Sequence, residues 1–184
     1  MLPMSIEPGT YELGPQNAQL TVETSRTGGA AKAGHDLTIE VTSWNGTLQL
    51  AEEPNGTSVT LHADGSSLRV REGRGGIKKL GEDDKKNIQQ TIDDEVLRST
   101  AIDFRSDAVE GSPGSGHLRV RGNLTLAGRT NPIEFDLEIA ADGHLGGSAT
   151  VKQSTWGIKP YSALFGALKV ADEVTVMIDA RPGS

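Results

Sequence analysis

The histidine at position 35 is the residue of this chain whose type and phase best suit acid–base chemistry. Neighbouring residues on a strand point to opposite faces, so His35 and the adjacent Asp36 cannot form a catalytic dyad with each other. His35 shares its phase with Leu37 and Ile39, which predicts that its ring points inward. An inward imidazole could hydrogen-bond the head group of a ligand or act as an acid or base. The alternative is a core histidine whose hydrogen bonds are satisfied by the protein.

Few other residues suggest catalysis or metal binding. His62, His117 and His144 lie far apart, and no His-x-His or His-Glu-x-x-His spacing occurs, so a metal site has little support. The absence of cysteine excludes thiolate nucleophiles and cysteine-bound zinc, and no serine lies in a Gly-x-Ser-x-Gly elbow. A basic cluster among glycines could receive an anionic head group, although a solvated loop is the simpler interpretation: Arg69, Arg71, Arg74, Lys78 and Lys79.

Composition narrows the classes of function. The net charge of −7 argues against nucleic-acid binding, because such proteins usually present a basic face. Neither a Walker loop nor a dinucleotide fingerprint occurs, and we predict no cofactor. No segment approaches the ~20 apolar residues of a transmembrane helix. The first eight residues lack a basic region followed by an apolar run, which predicts a cytoplasmic protein; a periplasmic or secreted form stays open.

The clearest structural pattern lies between Leu118 and Ile139. Apolar and polar residues alternate along 118–126 and again along 133–139, as expected of strands with one buried and one solvated face. Turn-forming residues occupy 127–132 between these two segments, so we predict an antiparallel hairpin. Gly122 falls in the inward phase, where it would leave space inside the fold.

Shorter alternating segments predict the remaining strands. Asn45-Gly46 is a strong signal for a two-residue hairpin turn. One helix is predicted at about 84–98, with an apolar stripe formed by Ile88, Ile92 and Val96. These elements fit a closed barrel or a sandwich, and we predict an all-β, closed antiparallel barrel of about eight strands with one inserted α-helix. Residues 1–8 are predicted to form a flexible arm, and residues 9–181 a single domain.

Aromatic residues make up only 4% of the chain, yet three of them lie close together in 156–168. These three are Trp156, Tyr161 and Phe165, in a stretch interrupted by Gly157, Pro160 and Gly166. A loop of this composition could cap the mouth of a barrel and touch a ligand. The alternative is that the rings fill one end of the core, as side chains commonly do in small barrels.

Several segments together resemble the YceI-like family. The resemblance extends from about residue 9 to residue 180 and is carried by Gly34-His35-Asp36-Leu37, by the hairpin from Gly122 to Ile133, by Trp156-Gly157-Ile158, and by Val170-Ala171-Asp172-Glu173-Val174. It implies a bacterial, lipocalin-like barrel, often dimeric, that holds a long apolar chain such as a polyisoprenoid or a quinone tail. Many members of the family are periplasmic, whereas the first residues of the sequence as given do not predict a signal peptide, so the cytoplasmic location is an expectation from these residues alone.

Our leading hypothesis is therefore non-catalytic binding of an isoprenoid, quinone or fatty-acyl chain in a hydrophobic tunnel. The predicted ligand-binding residues are His35, Leu37, Ile39, Val70, Ile88, Ile92, Phe104, Val120, Leu124, Phe135, Trp156, Tyr161 and Phe165. Burial of apolar surface contributes about 25 cal/mol per Å², so such a ligand needs only a dry, continuous tunnel. Two alternatives stay open: an enzyme acting on a small amphiphile with His35 as acid or base, and a ligand-free structural or stress-associated barrel that works as a homodimer.

Overall fold

The computed structural model describes residues 7–27, 35–75, 80–97, 100–112, 115–160, 162–163 and 168–182. Fourteen strands occur in this part of the chain. They are β1 (Gly9–Leu13), β2 (Ala18–Glu23), β3 (Arg26–Thr27), β4 (Asp36–Val41), β5 (Trp44–Leu50), β6 (Ser58–Ala63), β7 (Leu68–Arg74), β8 (Ile102–Ser112), β9 (His117–Leu126), β10 (Arg129–Ile139), β11 (Leu145–Lys152), β12 (Ser162–Ala163), β13 (Leu168–Val170) and β14 (Glu173–Ala180).

Eleven of the strands form one antiparallel sheet in the order β1-β5-β6-β8-β9-β10-β11-β14-β2-β4-β7. Because β4 leads directly into β5 and β6 into β7, short connections join strands near opposite ends of this order, and the sheet has to curl. The two corners bond to each other: Thr42 N–H donates to the Ser67 carbonyl at 3.0 Å, and Asp64 N–H donates to the Ser43 carbonyl at 3.0 Å. The remaining strands, β12, β13 and β3, form a second, small sheet.

The all-β antiparallel architecture with one inserted helix is confirmed, but the closed barrel of about eight strands is wrong. The curled sheet has eleven strands and forms a half-barrel, with β1 and β7 as its edges in the described part of the chain. Alternation along a strand reports which face is buried, and it carries no information about whether the last strand pairs with the first. Strand number and closure therefore exceeded what the pattern could predict.

The predicted hairpin is present as β9 and β10, but its turn is much shorter than the 127–132 segment. Only Ala127 and Gly128 lie outside the strands, with φ values of 50° and 80°, as a two-residue type I′ turn requires. Pro132 lies within β10, opposite Asn123 of β9. It is tolerated because β11 pairs only with Asp136–Ile139 of β10, so Pro132 does not have to donate to a strand on that side.

The prediction of a turn at Asn45-Gly46 is wrong, because both residues lie inside β5. The chain instead bends at the corner of Thr42 and Ser43 between β4 and β5, where the Thr42 hydroxyl donates to the Ser67 carbonyl at 2.7 Å and the Ser43 N–H donates to the Ser67 hydroxyl at 3.1 Å. Gly46 faces inward, where a Cβ atom would lie 3.5 Å from the Trp44 ring and 3.2 Å from the Thr60 carbonyl oxygen. Here glycine serves close packing, and the turn signal is overridden by the alternation around it.

The helix α1 spans Glu82–Thr91 and continues as a π-helical turn over Ile92–Val96. Asp84 accepts a hydrogen bond from the Gly81 N–H at 3.0 Å, and the acidic residues of the first turn complement the helix dipole. The predicted span of 84–98 is close, with residues 98–99 outside the described part. Within the described residues, no helix has the length and apolar character needed to cross a membrane.

The outer face of β9 and β10 is a ladder of opposite charges. Arg119 donates to Glu134 at 2.5 Å and to Asp136 at 2.8 Å across the two strands. These hydrogen bonds hold the pKa of both carboxyl groups below the usual values. The polar residues that alternate along the hairpin thus pair with one another on the solvent-exposed face. The residues that could contact a ligand are therefore those on the inner face.

Candidate functional site

The inner face of the half-barrel encloses a cavity of about 520 Å³, within the range of ligand pockets in proteins. Strands from both ends of the sheet contribute to its wall, and the described lining is almost entirely aliphatic or aromatic. Side chains that border an empty cavity lack the dispersion contacts that a packed core would give them. A ligand with an apolar surface would restore these contacts, so the cavity suits such a ligand.

Eight of the predicted ligand-binding residues line this cavity: His35, Leu37, Ile39, Ile88, Ile92, Phe104, Leu124 and Phe135. Apart from His35, which directly precedes β4, they come from β4, β8, β9, β10 and the helix with its π-helical turn, so elements distant in sequence meet around one space. Tyr161 and Phe165 lie outside the described residues. Whether any of the eight touches a ligand stays a prediction.

The placement of Val70, Val120 and Trp156 in the wall needs correction, because all three are buried without bordering the cavity. Trp156 follows β11 in a short 3-10 helix and is only 3% exposed. Its indole N–H donates to the Leu124 carbonyl at 2.9 Å. This hydrogen bond holds the buried ring against the backbone of β9, and Trp156 belongs to the hydrophobic core, which favours the core-filling alternative for this aromatic residue.

Gly122 leaves space, but the space belongs to the protein. A Cβ atom at this position would lie 2.6 Å from Cζ of Phe104, so the absence of a side chain seats the Phe104 ring against the wall. Phe104 also packs on Phe135 with ring centroids 5.4 Å apart and the planes tilted by 59°. The predicted space at Gly122 is therefore present, but the Phe104 ring occupies it, and it offers no room for a ligand.

The helix stripe covers part of the cavity beside the edge strand β7. Ile88, Ile92 and Val96 all line the cavity, so the stripe covers an opening instead of packing on the outside. Gln89 fixes the helix to the edge strand β7, because its side-chain oxygen accepts the Val70 N–H at 2.8 Å. Gln89 thus satisfies a backbone N–H of the edge strand that a neighbouring strand would otherwise accept. The apolar stripe of the helix lines the cavity as the inner face of a further strand would.

The small sheet contributes a further part of the wall. Its strand β13 pairs with β3, and Val170 of β13 lines the cavity. Asp172, just after β13, accepts hydrogen bonds from the Ser154 amide at 2.8 Å and hydroxyl at 2.5 Å, which hold the pKa of its carboxyl group below the usual value. These bonds join the small sheet to the segment that carries Trp156.

Several lining residues could not be predicted from the sequence, because they lie in segments without alternation of apolar and polar residues. Ile158 and Val170 lie in irregular or very short segments, and Arg26 belongs to a two-residue strand. The inward residues of β11 and β14 were detectable, since Val151, Val174 and Ile178 alternate with polar residues. Their assignment to the cavity required the strand order, which the sequence pattern does not carry.

The predicted basic cluster does not form an anion site in the described residues. Arg71 donates to Glu40 at 2.7 Å, and Arg74 donates to Glu23 at 2.7 Å. The bond to Glu23 holds the pKa of Arg74 above its usual value. Arg69 donates to the carbonyls of its own connection, whereas Lys78 and Lys79 lie outside the described residues. The solvated interpretation is favoured for the three arginines.

The remaining histidines lie on the outer surface beside acidic residues. His62 contacts Asp103 at 2.6 Å, His117 contacts Asp136 at 3.1 Å, and His144 pairs with Asp179. The described residues contain no group of three or more histidine or acidic side chains arranged to hold a metal ion.

The curled sheet, the apolar interior and the helix along the open edge define a half-barrel protein with one large internal cavity. The family model of the YceI-like domain matches residues 11–181. The chain therefore belongs to the YceI-like family. No curated protein matches its sequence.

Solved structures of low sequence identity share the fold. BcnA of Burkholderia cenocepacia is similar with a TM-score of 0.65 and 14% identity, covering 88% of this chain and 94% of BcnA. A polyisoprenoid binding domain from Saccharophagus degradans has a TM-score of 0.55 and 11% identity, covering 96% of this chain and 100% of that domain. The YceI protein of Campylobacter jejuni has a TM-score of 0.53 and 14% identity, covering 77% and 81%. At these identities the likeness shows the fold alone.

Proposed function

We propose that this protein binds a long apolar chain of the isoprenoid, quinone or other lipid-like type inside its cavity, and that it sequesters or carries this ligand without catalysis. The carrying observation is the cavity itself, which measures about 520 Å³ and has an almost wholly apolar described wall. The likeness in fold to a domain described as polyisoprenoid-binding supports the proposal.

The physical chemistry of such binding is simple. Each buried methylene contributes about 0.8 kcal/mol, so about ten of them contribute about 8 kcal/mol. The cost of association starts at about 4 kcal/mol, and a wall that is already formed avoids further ordering costs. Affinity should therefore rise with chain length until the cavity is filled.

The enzyme hypothesis finds less support in the composition of the wall. Among the described lining residues of the cavity there is no carboxylate side chain, the group that commonly orients a catalytic histidine. Two lining hydroxyl groups are engaged locally: Thr24 accepts the Leu37 N–H at 3.2 Å, and Thr91 donates to the Asn87 carbonyl at 3.0 Å. The homodimer and the cytoplasmic location stay predictions, and the proposed binding requires neither.

Native mass spectrometry tests the proposal. Protein purified without detergent is compared under native and denaturing conditions, and the released compound is identified after solvent extraction. We expect one apolar molecule per chain, or uptake of one added geranylgeraniol or hexadecanol. A folded protein that carries no adduct and takes up neither probe would contradict the proposal.

A further inference from the structure

The cavity ends at one level of the sheet, between two neighbouring rows of inward residues. Across β10, β11 and β14, paired residues of the last row that wholly borders the cavity are Leu137, Gly147 and Ile178. The next inward row lies closer to the turn between β10 and β11. This row, which we call the floor row, consists of Ile139, Leu145 and Ala180.

The floor row is packed and closed by the backbone behind it. Leu145 borders the cavity but is only 1% exposed, whereas Ile139 and Ala180 are buried without bordering it. Behind the row, the Ile139 N–H donates to the Gly116 carbonyl at 2.8 Å, and the Ala140 N–H donates to the His144 carbonyl at 2.8 Å. A chain that enters the cavity cannot pass this level without displacing core side chains.

The row above the floor suits the apolar end of a chain. A Cβ atom on Gly147 would lie 2.6 Å from Cδ2 of Leu137 and 3.5 Å from Cγ2 of Ile178, so aliphatic side chains flank the bare glycine on both sides. Both rows lack polar side chains, whereas Thr24 and Gln153 border the cavity at the opposite ends of β2 and β11. The apolar end of a bound chain should therefore point toward the floor row.

The depth and volume of the cavity set a finite length for this chain. The bordering part of β11, from Leu145 to Val151, is ~20 Å long at about 3.4 Å per residue. A methylene group takes about as much room as a water molecule, whose share of the liquid is about 30 Å³, so a cavity of about 520 Å³ holds about 17 such groups. The site is thus closed at one end in the described part of the chain.

We propose that the floor row limits the length of the ligand and that Leu145 is the specificity-determining residue against which the chain ends. The ligand class is then a single chain of about 15–20 carbons, or about three to four isoprene units. This inference rests on the proposed function, because the chain has to occupy the cavity. A longer polyisoprenoid would keep its remaining carbons outside, where they gain nothing from burial.

Competition among n-alkan-1-ols of twelve to twenty-four carbons tests the limit. Equal amounts are supplied in an excess of phosphatidylcholine vesicles, ligand-free protein is equilibrated with them and separated, and the bound alcohols are extracted and quantified by gas chromatography. A carbon that fits exchanges one apolar environment for another, whereas a carbon that does not fit moves from lipid into water. We expect similar binding up to a cut-off at about 16–20 carbons. Beyond it, binding should fall about fourfold per carbon.

Three variants locate the limit. Leu145→Ala removes three carbons from the floor row and should raise the cut-off by about three carbons. Ile178→Phe adds three carbons in the row above and should lower it by about as much. Ile133→Ala is the matched control, because it removes three carbons at the other end of the bordering part of β10 and widens the cavity without deepening it. Its cut-off should stay within one carbon of the wild type, and circular dichroism checks the fold of all three variants.

The outcomes separate this inference from the proposed function. Binding of the alcohols without a cut-off would overturn the length limit and leave chain binding intact. A cut-off that neither Leu145→Ala nor Ile178→Phe moves, or that Ile133→Ala moves as far as Leu145→Ala, would overturn the role of the floor row. If Leu145→Ala does not fold, the shift in Ile178→Phe decides. Failure of every alcohol to bind would overturn the proposed function and this inference with it.

Discussion

The central strands β8, β9 and β10 alternate in the same way along their whole length, but their inward residues meet packed core at one end and a cavity at the other. At one end, called the packed end, Val109, Leu118, Val120 and Ile139 are buried and do not border the cavity. At the other, called the cavity end, Phe104, Leu124, Leu126, Ile133 and Phe135 face open space, and on β10 the cavity continues as far as Leu137, opposite Leu118. Val109 pairs with Val120 and Phe104 pairs with Leu124 along the same two strands, so one strand pair contributes to both interiors.

The change from one interior to the other occurs where the regular ladder is interrupted. The register of β8 against β9 shifts between Ser106 and Ala108, and the inward residue of β9 at this level is Gly122. The Phe104 ring fills the place of the missing side chain and lies along the wall. A bulge and a glycine thus allow aromatic residues to line a space without filling it. Packing gives the fold its stability at one end, and the absence of packing creates the site at the other.

The largest expected difference between the two ends concerns stability. Leu118→Ala in the packed end should lower the free energy of unfolding by about 2–5 kcal/mol, because it removes a fully buried side chain and leaves a new void. Leu124→Ala, on the same face of the same strand, should cost markedly less because Leu124 already borders the cavity. Urea unfolding of ligand-free protein measures both values, and equal costs would contradict the distinction between the two ends.

A substitution that fills the cavity should convert the cavity end into a second packed end. Ala149 of β11 lines the cavity, so Ala149→Trp should weaken hexadecanol binding at least tenfold, while overpacking changes stability by about 1–3 kcal/mol. Thr150→Trp is the matched control, because the next residue along the strand points to the exposed face. Calorimetry that finds equal affinity for both variants would show that the ligand binds elsewhere.

The smallest expected effect concerns the hairpin turn beside the cavity end. Ala127 adopts φ of 50°, a left-handed conformation that costs a residue with a Cβ about 1 kcal/mol. Ala127→Asn creates the Asn-Gly pair favoured in type I′ turns, so the free energy of unfolding should rise by about 0.5–1 kcal/mol. Ligand affinity should not change, because neither turn residue borders the cavity. Thermal unfolding at fixed pH checks the gain, and a lower melting temperature would contradict this account of the turn.

The sequence predicts which residues face inward and which face solvent, but not which inward residues border the cavity and which are packed. Leu124, Phe104 and Phe135 were assigned to the inner face by their period alone, and the helix stripe by its spacing. The same period also assigns Val120 to the inner face. Val120 pairs with Phe135 across the two strands, yet it is fully buried in packed core and does not border the cavity. Whether an inward residue meets a void depends on the side chains opposite it and on bulges such as that at Ser106, which require the strand order and register.

Position 26 shows the same limit for the polar part of the site. The clustered arginines predicted from the sequence include Arg71 and Arg74, and both form ion pairs with carboxylates on the outer face. Arg26 has no arginine or lysine near it in sequence, and it borders the cavity from the short strand β3, which pairs with β13. A residue brought to a site by long-range pairing has no local signal, whereas His35 had one because it precedes an alternating strand.

The central claim is that the cavity holds an apolar chain, and a crystal structure with a bromine-tagged ligand tests it most directly. Protein saturated with 16-bromohexadecanoate is crystallised, and the bromine is located from its anomalous scattering. The account predicts one bromine per chain inside the space bounded by Leu124, Ile133 and Ile178. A bromine on the outer face of the sheet, in a protein that binds the probe in solution, would contradict it.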